Sequence, residues 1–301
     1  MEIAVTGSSG LIGSVLMPTL AAAGHRPIAV VRRDPRPGAD EIRWMPDKGE
    51  IDAAALDGVD AVINLAGAGI GDKRWTDAYK KVLVDSRVDG TALLVSTFAA
   101  MNRAPSVFLS GSAVGFYGDR GDTELTEADA AGDGFLPELV TKWEAAAAPA
   151  AEAGIRTVML RTGVVLTPAG GALSRLLPLF KLGVGGKFGS GRQYMSWITI
   201  DDHIAATMHL LTADVSGPAN VVGPNPVTNK ELTSALGRVL GRPTLFPVPS
   251  FGPKLLVGSE LADALLFESQ RLSPTVLTGS GYSFQHPEIE GAFRAVLGKE
   301  D

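Results

Sequence analysis

Short apolar segments alternate with longer stretches of helical composition along much of the chain. The apolar segments are rich in β-branched residues and lie at 3–5, 27–31, 61–65, 107–110, 157–160 and 219–222. Between several of them lie stretches of helical composition at 14–23, 75–85, 91–101 and 138–153. Strands that alternate with helices predict an α/β fold with a doubly wound parallel sheet. The near-continuous apolar character of the strands indicates that helices cover both faces of this sheet.

The pattern changes after residue 166. A Pro/Gly cluster occupies 167–171, and five glycines lie between 183 and 191. Beyond Gly217 prolines become frequent between short helical stretches. We therefore expect a main domain over 1–166 that also includes about 195–223, and a smaller lobe made mainly of 167–301.

The composition excludes several classes of protein. The 301 residues carry a formal net charge of −6, whereas nucleic-acid binders usually have a basic face. The chain has no cysteine, and its four histidines have no metal-ligand spacing, so we expect neither disulfides nor a metal site. The absence of a signal peptide and of a spanning segment predicts a cytoplasmic protein without a membrane partner. Both a monomer and a homodimer are compatible with the sequence.

A glycine-rich turn follows the first predicted strand and opens the first predicted helix. This order is typical of a dinucleotide-binding site. Gly7 permits the tight turn, Gly10 lets the backbone approach a diphosphate, and Gly13 lets the helix pack closely on the strand. The helix N-terminus offers unpaired N–H groups to the phosphates. The candidate cofactor-binding residues of this turn are Gly7, Ser8, Ser9, Gly10, Leu11, Ile12 and Gly13.

Two further segments bear on the nucleotide. Arg32 and Arg33 end the second strand, where NAD-binding folds usually place an acidic residue for the ribose. Guanidinium groups pair with phosphate, so the sequence favours NADP over NAD, the alternative being a solvated basic turn. Leu65, Ala66 and Gly67 follow the third strand, where small residues let the backbone close over the cofactor, although an ordinary loop exit has the same composition.

Together with Ser110-Gly111-Ser112 ahead of Tyr117-Gly118, these segments resemble the extended short-chain dehydrogenases/reductases. The chain resembles still more closely a subgroup described only as "epimerase family protein". The motifs that carry this resemblance occur in the family's order along nearly the whole chain: Arg74-Trp75-Thr76, Asp85-Ser86-Arg87-Val88, Trp143-Glu144-Ala145-Ala146, Gly189-Ser190-Gly191-Arg192-Gln193, Ser196-Trp197-Ile198 and Pro224-Asn225-Pro226.

The resemblance implies a Rossmann-type domain that holds NAD(P) and a C-terminal lobe that holds substrate. From about residue 245 this lobe resembles a domain of unknown function. The resemblance also implies hydride transfer assisted by a Ser, a Tyr and a Lys, with Tyr-x-x-x-Lys on one helix. In that pattern the Tyr exchanges a proton with the substrate oxygen, the Lys lowers the pKa of the Tyr and binds the nicotinamide ribose, and the Ser polarises the substrate oxygen.

The chain departs from this pattern at the position of the Tyr. Lys142 stands where the family has its Lys, but Glu138 occupies the position four residues earlier. Helical spacing places both side chains on one face. One interpretation is an ordinary surface ion pair between them. The other is that Glu138 takes over proton transfer, because apolar surroundings raise the pKa of a carboxyl group.

Ser112 matches the catalytic Ser best, with Ala113 as the alternative alignment, and Ser110 at the strand end is assigned to the cofactor. The resemblance places Tyr117 at the substrate, where it is also a candidate for the missing phenol.

Arg87 stands where the family has an Asn, and a buried Arg needs a partner: a cofactor phosphate, an acidic substrate or Asp85. A surface position on a helix is the alternative. Arg192, Gln193 and Trp197 are expected to contact substrate from the glycine-rich loop of the second lobe. Asp201 or Asp202 is expected to cap a helix.

These expectations describe an NADP(H)-dependent oxidoreductase or epimerase that acts on a small polar metabolite or a nucleotide sugar. The altered acid/base pair leaves a second hypothesis open, a cofactor-binding sensor or scaffold without turnover. An open polar cavity at the nicotinamide favours the enzyme, and a bulky side chain filling that space favours the sensor.

Overall fold

A computed structural model describes residues 1–299 of the chain. Its strands, numbered in chain order, are β1 (Glu2–Thr6), β2 (Arg26–Val31), β3 (Glu41–Met45), β4 (Glu50–Ile51), β5 (Ala61–Asn64), β6 (Val107–Ala113), β7 (Glu124–Leu125), β8 (Arg156–Thr162), β9 (Val164–Leu166), β10 (Tyr194–Met195), β11 (Trp197–Thr199), β12 (Gly217–Val221), β13 (Val227–Thr228) and β14 (Arg271–Leu272).

The helices surround these strands. They are α1 (Gly13–Ala22), α2 (Ala53–Leu56), α3 (Asp77–Ala100), α4 (Phe135–Glu152), α5 (Gly171–Lys181), α6 (Ile200–Thr212), α7 (Asn229–Leu240), α8 (Phe251–Val257), α9 (Ser259–Ala262), α10 (Thr275–Gly279) and α11 (Ile289–Val296). Within the described residues, no helix is both long and apolar enough to cross a bilayer.

The central sheet has the strand order β12-β8-β6-β5-β1-β2-β3-β4. All neighbouring pairs are parallel except β3 with β4. From β1 the chain winds outward to β2 on one side, and β5 returns on the other side of β1. This reversal places a crevice at the carboxyl ends of β1 and β5, which is where ligands bind in such sheets. The predicted doubly wound α/β fold is confirmed.

The two faces of the sheet bury alternate residues of each strand. Ile3 and Val5 pack in one core with α1 and α6, whereas Ala4 packs in the other with α3 and α4. Because successive side chains of a strand point to opposite faces, helices on both sides are needed to cover such apolar strands.

Helix α3 is longer than the sequence predicted. The two helices expected at 75–85 and 91–101 form one 24-residue helix, and Gly90 lies inside it. A Cβ atom at Gly90 would lie 3.2 Å from the ring of Trp44. The glycine therefore lets β3 pack closely against the helix and does not end the helix.

A separate apolar core is formed by α5, α7, α11 and the β9–β11 pair. Both strands of that pair lie within the bounds predicted for the main domain, so this core joins the two predicted parts of the chain. The N-cap of α6 is Thr199 and not Asp201 or Asp202, because the Thr199 hydroxyl accepts from the Asp202 amide. The Asp202 carboxylate instead accepts hydrogen bonds from Tyr282 and from the backbone of Gln285 and His286. It thereby ties the C-terminal segment to the main domain.

Candidate active site

The carboxyl ends of β1 and β5 are joined by a buried chain of hydrogen bonds. The Thr6 hydroxyl donates to Asn64 Oδ1 at 2.6 Å and accepts from the amides of Leu65 and Ala66. Asn64 Nδ2 donates to Thr91 Oγ1, which also accepts from the Trp143 indole. This chain fixes the segment that follows β5 against the turn that follows β1.

The glycine-rich turn has the shape expected of a phosphate cradle. Gly7 has φ +64°, and a Cβ atom there would lie 2.8 Å from the Leu65 carbonyl group. A Cβ atom on Gly13 would overlap the Gly7 carbonyl oxygen. Within residues 1–299 the amides of Leu11 and Ile12, ahead of α1, donate to no acceptor. These unpaired N–H groups at a helix N-terminus fit the diphosphate of a dinucleotide.

The two arginines at the end of β2 differ in their surroundings. Arg33 forms a two-pronged ion pair with Glu41, at 2.6 and 2.8 Å, which Arg36 joins. The Arg33 guanidinium holds the pKa of Glu41 at about 2. Arg32 is exposed and forms no polar side-chain contact within the described residues. Of the two, Arg32 is the side chain available to an added phosphate.

Arg87 is a partly buried cation at the same edge of the sheet. Its guanidinium carbon lies 5.2 Å from the centre of the Trp143 ring and close to Gly67. Its only hydrogen bond within residues 1–299 goes to the Leu83 carbonyl oxygen. Asp85 pairs with Lys81 instead, so it is not the partner of Arg87. Burial lowers the pKa of the Arg87 guanidinium to about 10, since no carboxylate compensates for lost hydration.

Ser112 lies at the end of β6 and is held by a buried ion pair. Its hydroxyl donates to Glu144 Oε1 at 2.6 Å. Glu144 also accepts two hydrogen bonds from Arg161, at 2.8 and 2.9 Å. Because the Ser112 hydroxyl already donates its proton to Glu144, it can only accept a hydrogen bond from a ligand. Ser110 is buried and forms only a long hydrogen bond, at 3.4 Å, to the Gly111 carbonyl oxygen.

The structure places Tyr117 in this buried network and not at the substrate. Its side chain is 0% exposed, donates to Asn220 Oδ1 and accepts from Arg161, both at 2.8 Å. Burial raises the pKa of the phenol. The expectation that Tyr117 contacts substrate or supplies the missing phenol does not fit this position, because no face of the ring is open.

Glu138 and Lys142 are exposed on one face of α4. Neither forms an ion pair with any residue of 1–299, so the interpretation as a surface pair does not fit the structure. The exposed position of Glu138 also means that its carboxyl group is not enclosed by the apolar surroundings that the proton-transfer interpretation assumed. The next residue, Trp143, packs against Gly111 of β6, so α4 lies directly beside the strand that carries Ser112.

Two residues assigned to substrate from the sequence have structural positions instead. Trp197 is 1% exposed and donates its indole N–H to the Asn225 carbonyl oxygen. The amide of Gln193 is buried and donates to the carbonyl oxygens of Leu266 and Phe188. Arg192 remains exposed. The side chains of Trp197 and Gln193 are thus engaged by segments far along the chain, which motif position does not reveal.

Sequence reasoning did not assign roles to Glu144, Arg161 and Asn220, which order this edge of the site. The Trp143-Glu144 motif was a sequence signal for Glu144. A charged residue inside an apolar strand, as in Met159-Leu160-Arg161, was a signal for Arg161, since a buried charge needs a partner.

Comparisons with known proteins agree with this geometry. Residues 3–223 match the model of the NAD dependent epimerase/dehydratase family, and 248–296 match a domain of unknown function, DUF1731. An epimerase family protein of Mycobacterium bovis is 45% identical over 288 residues, which cover 95% of this chain and 94% of the relative. The human epimerase family protein SDR39U1 is 36% identical, covering 99% of this chain and 100% of the relative.

Two solved structures extend the comparison. The crystal structure of human SDR39U1 with NADPH superimposes with a TM-score of 0.90 at 34% identity, covering 100% of both chains. A nucleoside-diphosphate sugar epimerase of Corynebacterium glutamicum gives 0.81 at 38% identity, where the match covers 100% of this chain and 59% of that one.

The chain belongs to the NAD dependent epimerase/dehydratase family. It is an extended short-chain dehydrogenase/reductase, and thus an NAD(P)-dependent, oxidoreductase- or epimerase-like protein.

The cradle can be tested at Gly13. We expect Gly13→Ala to lower NADPH affinity about tenfold or more, because the new methyl group forces the start of α1 away from Gly7. Titration monitored by fluorescence of the nucleotide measures this. Gly291→Ala is the control, since its added Cβ meets no atom within 4 Å. Unchanged NADPH affinity in Gly13→Ala contradicts the assignment.

Proposed function

We propose that this protein is an NADP(H)-dependent oxidoreductase or epimerase of small polar metabolites that carry an anionic group, nucleotide sugars included. The main support for this proposal is Arg87, a partly buried cation without a carboxylate partner. It lies at the same carboxyl edge of the sheet as the glycine-rich turn. Burying an unpaired charge is costly, so such a group fits an anionic ligand.

In this proposal the cofactor is NADP(H). Residues 7–13 hold the diphosphate, Arg32 and Arg33 face the 2′-phosphate, and Leu65, Ala66 and Gly67 close over the adjoining ribose. Ser110 and Lys142 border its nicotinamide end. When bound, the nicotinamide supplies or accepts a hydride. The similarity to the crystal structure of human SDR39U1 with NADPH supports the choice of nucleotide.

The protein's own groups manage the proton. The Glu138 carboxyl group exchanges a proton with the substrate oxygen in place of the missing Tyr, and Lys142 lies one helical turn away on the same face. Ser112, whose proton is donated to Glu144, orients the substrate by accepting a hydrogen bond from it. Arg87 binds the anionic group of the substrate, and Arg192 contributes from the second lobe.

The two parts of the chain divide these tasks. Residues 1–166 with about 195–223 bind the cofactor, and the rest of 167–301 forms the substrate lobe. The protein acts in the cytoplasm as a monomer or homodimer.

The 2′-phosphate assignment predicts different effects for the two arginines. Arg32→Ala lowers NADPH affinity about tenfold or more and leaves NADH affinity unchanged, since a hydrogen-bonded charge pair is lost. Arg33→Ala has the smaller effect, because Glu41 already engages that guanidinium. Titration of each variant with both nucleotides measures these affinities. Arg36→Ala is the control, because it also removes a cation that pairs with Glu41. If Arg32→Ala has the same ratio of NADPH affinity to NADH affinity as the unaltered protein, Arg32 does not bind the 2′-phosphate.

Arg87 gives a prediction that a merely structural arginine does not share. We expect Arg87→Met to unfold at the same or a higher temperature than the unaltered protein, because an uncompensated buried charge is removed. The same variant loses binding of inorganic phosphate to the NADPH-loaded protein, measured as a thermal shift, and Arg87→Lys retains part of it.

NADPH affinity distinguishes the source of the anion at Arg87. If Arg87→Met binds NADPH more weakly and phosphate as before, the anion belongs to the cofactor. A lower unfolding temperature with unchanged phosphate binding contradicts an anion site.

Turnover tests the role of Glu138. A metabolite screen with NADP+ and NADPH, followed by nicotinamide absorbance and by NMR of the products, should identify a substrate. Glu138→Gln then lowers kcat about a hundredfold or more without changing NADPH affinity, because general acid–base catalysis contributes factors of this size. Glu152→Gln, an exposed acid at the other end of α4, is the control. Full activity of Glu138→Gln contradicts the role, and NADPH binding without any turnover favours the sensor.

A further inference from the structure

The most exposed large apolar side chains of residues 1–299 are concentrated in two segments of the second lobe. One of these side chains directly follows α5, and the other five lie at 245–256. Each is between 72% and 79% exposed: Leu182, Leu245, Phe246, Phe251, Leu255 and Leu256. We call these six residues the apolar face. A concentration of exposed large apolar side chains is typical of a contact with a partner or a membrane.

Backbone pairing brings the two segments together. The Val248 amide donates to the Lys187 carbonyl oxygen at 2.8 Å, and the Gly189 amide donates to the Val248 carbonyl oxygen at 3.0 Å. Residues 187–189 therefore run parallel to 248. The end of α5 leads into one side of this pairing, and α8 follows the other.

Polar contacts on its inner side hold the α8 region in place. Arg74 donates to the Leu255 carbonyl oxygen at 2.7 Å, and Lys80 pairs with Glu260 at 2.5 Å. Lys254 pairs with Asp263 at 2.6 Å. The leucines of α8 are thus presented outward by a fixed segment.

Cations outnumber acids along the two segments that carry the apolar face, and the acids beside α8, Glu260 and Asp263, are paired with Lys80 and Lys254. Residues 167–200 contain four Lys or Arg and no Asp or Glu, and residues 232–259 contain three and none, in a chain whose net charge is −6. Within the described residues Lys181, Lys187 and Arg242 form no ion pair. An apolar surface bordered by unpaired cations suits the interface of an anionic bilayer, where apolar side chains insert and cations meet headgroups.

We propose that the apolar face docks the protein on the surface of an anionic phospholipid membrane. A second copy fits less well, because a twofold contact through this face would bring like-charged cations together. Peripheral docking needs no spanning helix, so it is compatible with the absence of one in residues 1–299. It does revise the expectation of no membrane partner, which rested on spanning segments alone.

Sedimentation with vesicles tests this proposal. The unaltered protein is expected to bind vesicles of equal parts phosphatidylcholine and phosphatidylglycerol, and to bind pure phosphatidylcholine far less. The double variant Leu255→Ser, Leu256→Ser should lower the partition coefficient about tenfold or more, because two inserting side chains are lost. Lys181→Ala with Arg242→Ala, and added salt, should each weaken the same binding.

Val82→Ser is the matched control, since Val82 is 47% exposed on α3, outside the apolar face. Circular dichroism and NADPH titration verify that each variant is folded. The proposal is overturned if anionic vesicles do not bind the protein, if the Leu255, Leu256 variant binds as well as the unaltered protein, or if both vesicle types bind equally. A dimer in light scattering that the leucine variant abolishes, without vesicle binding, assigns the face to a second copy.

Discussion

The site depends on the close approach of two backbone segments at the centre of the sheet. The turn after β1 comes so near the Leu65 carbonyl group that only glycine fits at position 7. The Thr6 hydroxyl holds this approach with three hydrogen bonds, one to Asn64 at the end of β5 and two to the segment that follows it. Because Asn64, Thr91 and Trp143 continue the chain of bonds, the same contact also aligns α3 and α4. The cradle for a diphosphate and the helix that carries Glu138 are therefore positioned together.

A second constraint is the buried pair of Glu144 and Arg161. Their side chains are 11% and 4% exposed, and each is hydrogen-bonded beyond the pair, to Ser112 and to Tyr117. Removing one partner of such a pair costs about 3–5 kcal/mol, since the other charge is left uncompensated. Arg87 has the opposite character, a cation at the same edge with no acid beside it. Arg161 thus orders the site through its ion pair, whereas the charge of Arg87 is free to bind an anionic ligand.

The sequence was sufficient where local pattern determines structure. The β-branched strands, the turn at Gly7 and the helix after it follow from neighbouring residues, and the structure has all of them. β3 was missed because its buried Ile42 and Trp44 alternate with charged residues, unlike the continuous apolar runs of the strands that were predicted. Tyr117 and Trp197 were assigned to substrate because motif position carries no information on burial, which depends on contacts with Asn220 and Asn225 far along the chain. Arg32 and Arg33 looked equivalent until Glu41 was placed beside one of them.

The central claim is that the edge formed by β1, β2 and β5 binds NADP(H). Isothermal titration of NADPH and NADH into the unaltered protein tests it most directly. We expect one NADPH to bind per chain, more tightly than NADH, since an exposed guanidinium at the end of β2 is available to the 2′-phosphate. Binding of neither nucleotide would contradict the whole assignment of the site, and equal affinity for both would contradict the role of Arg32.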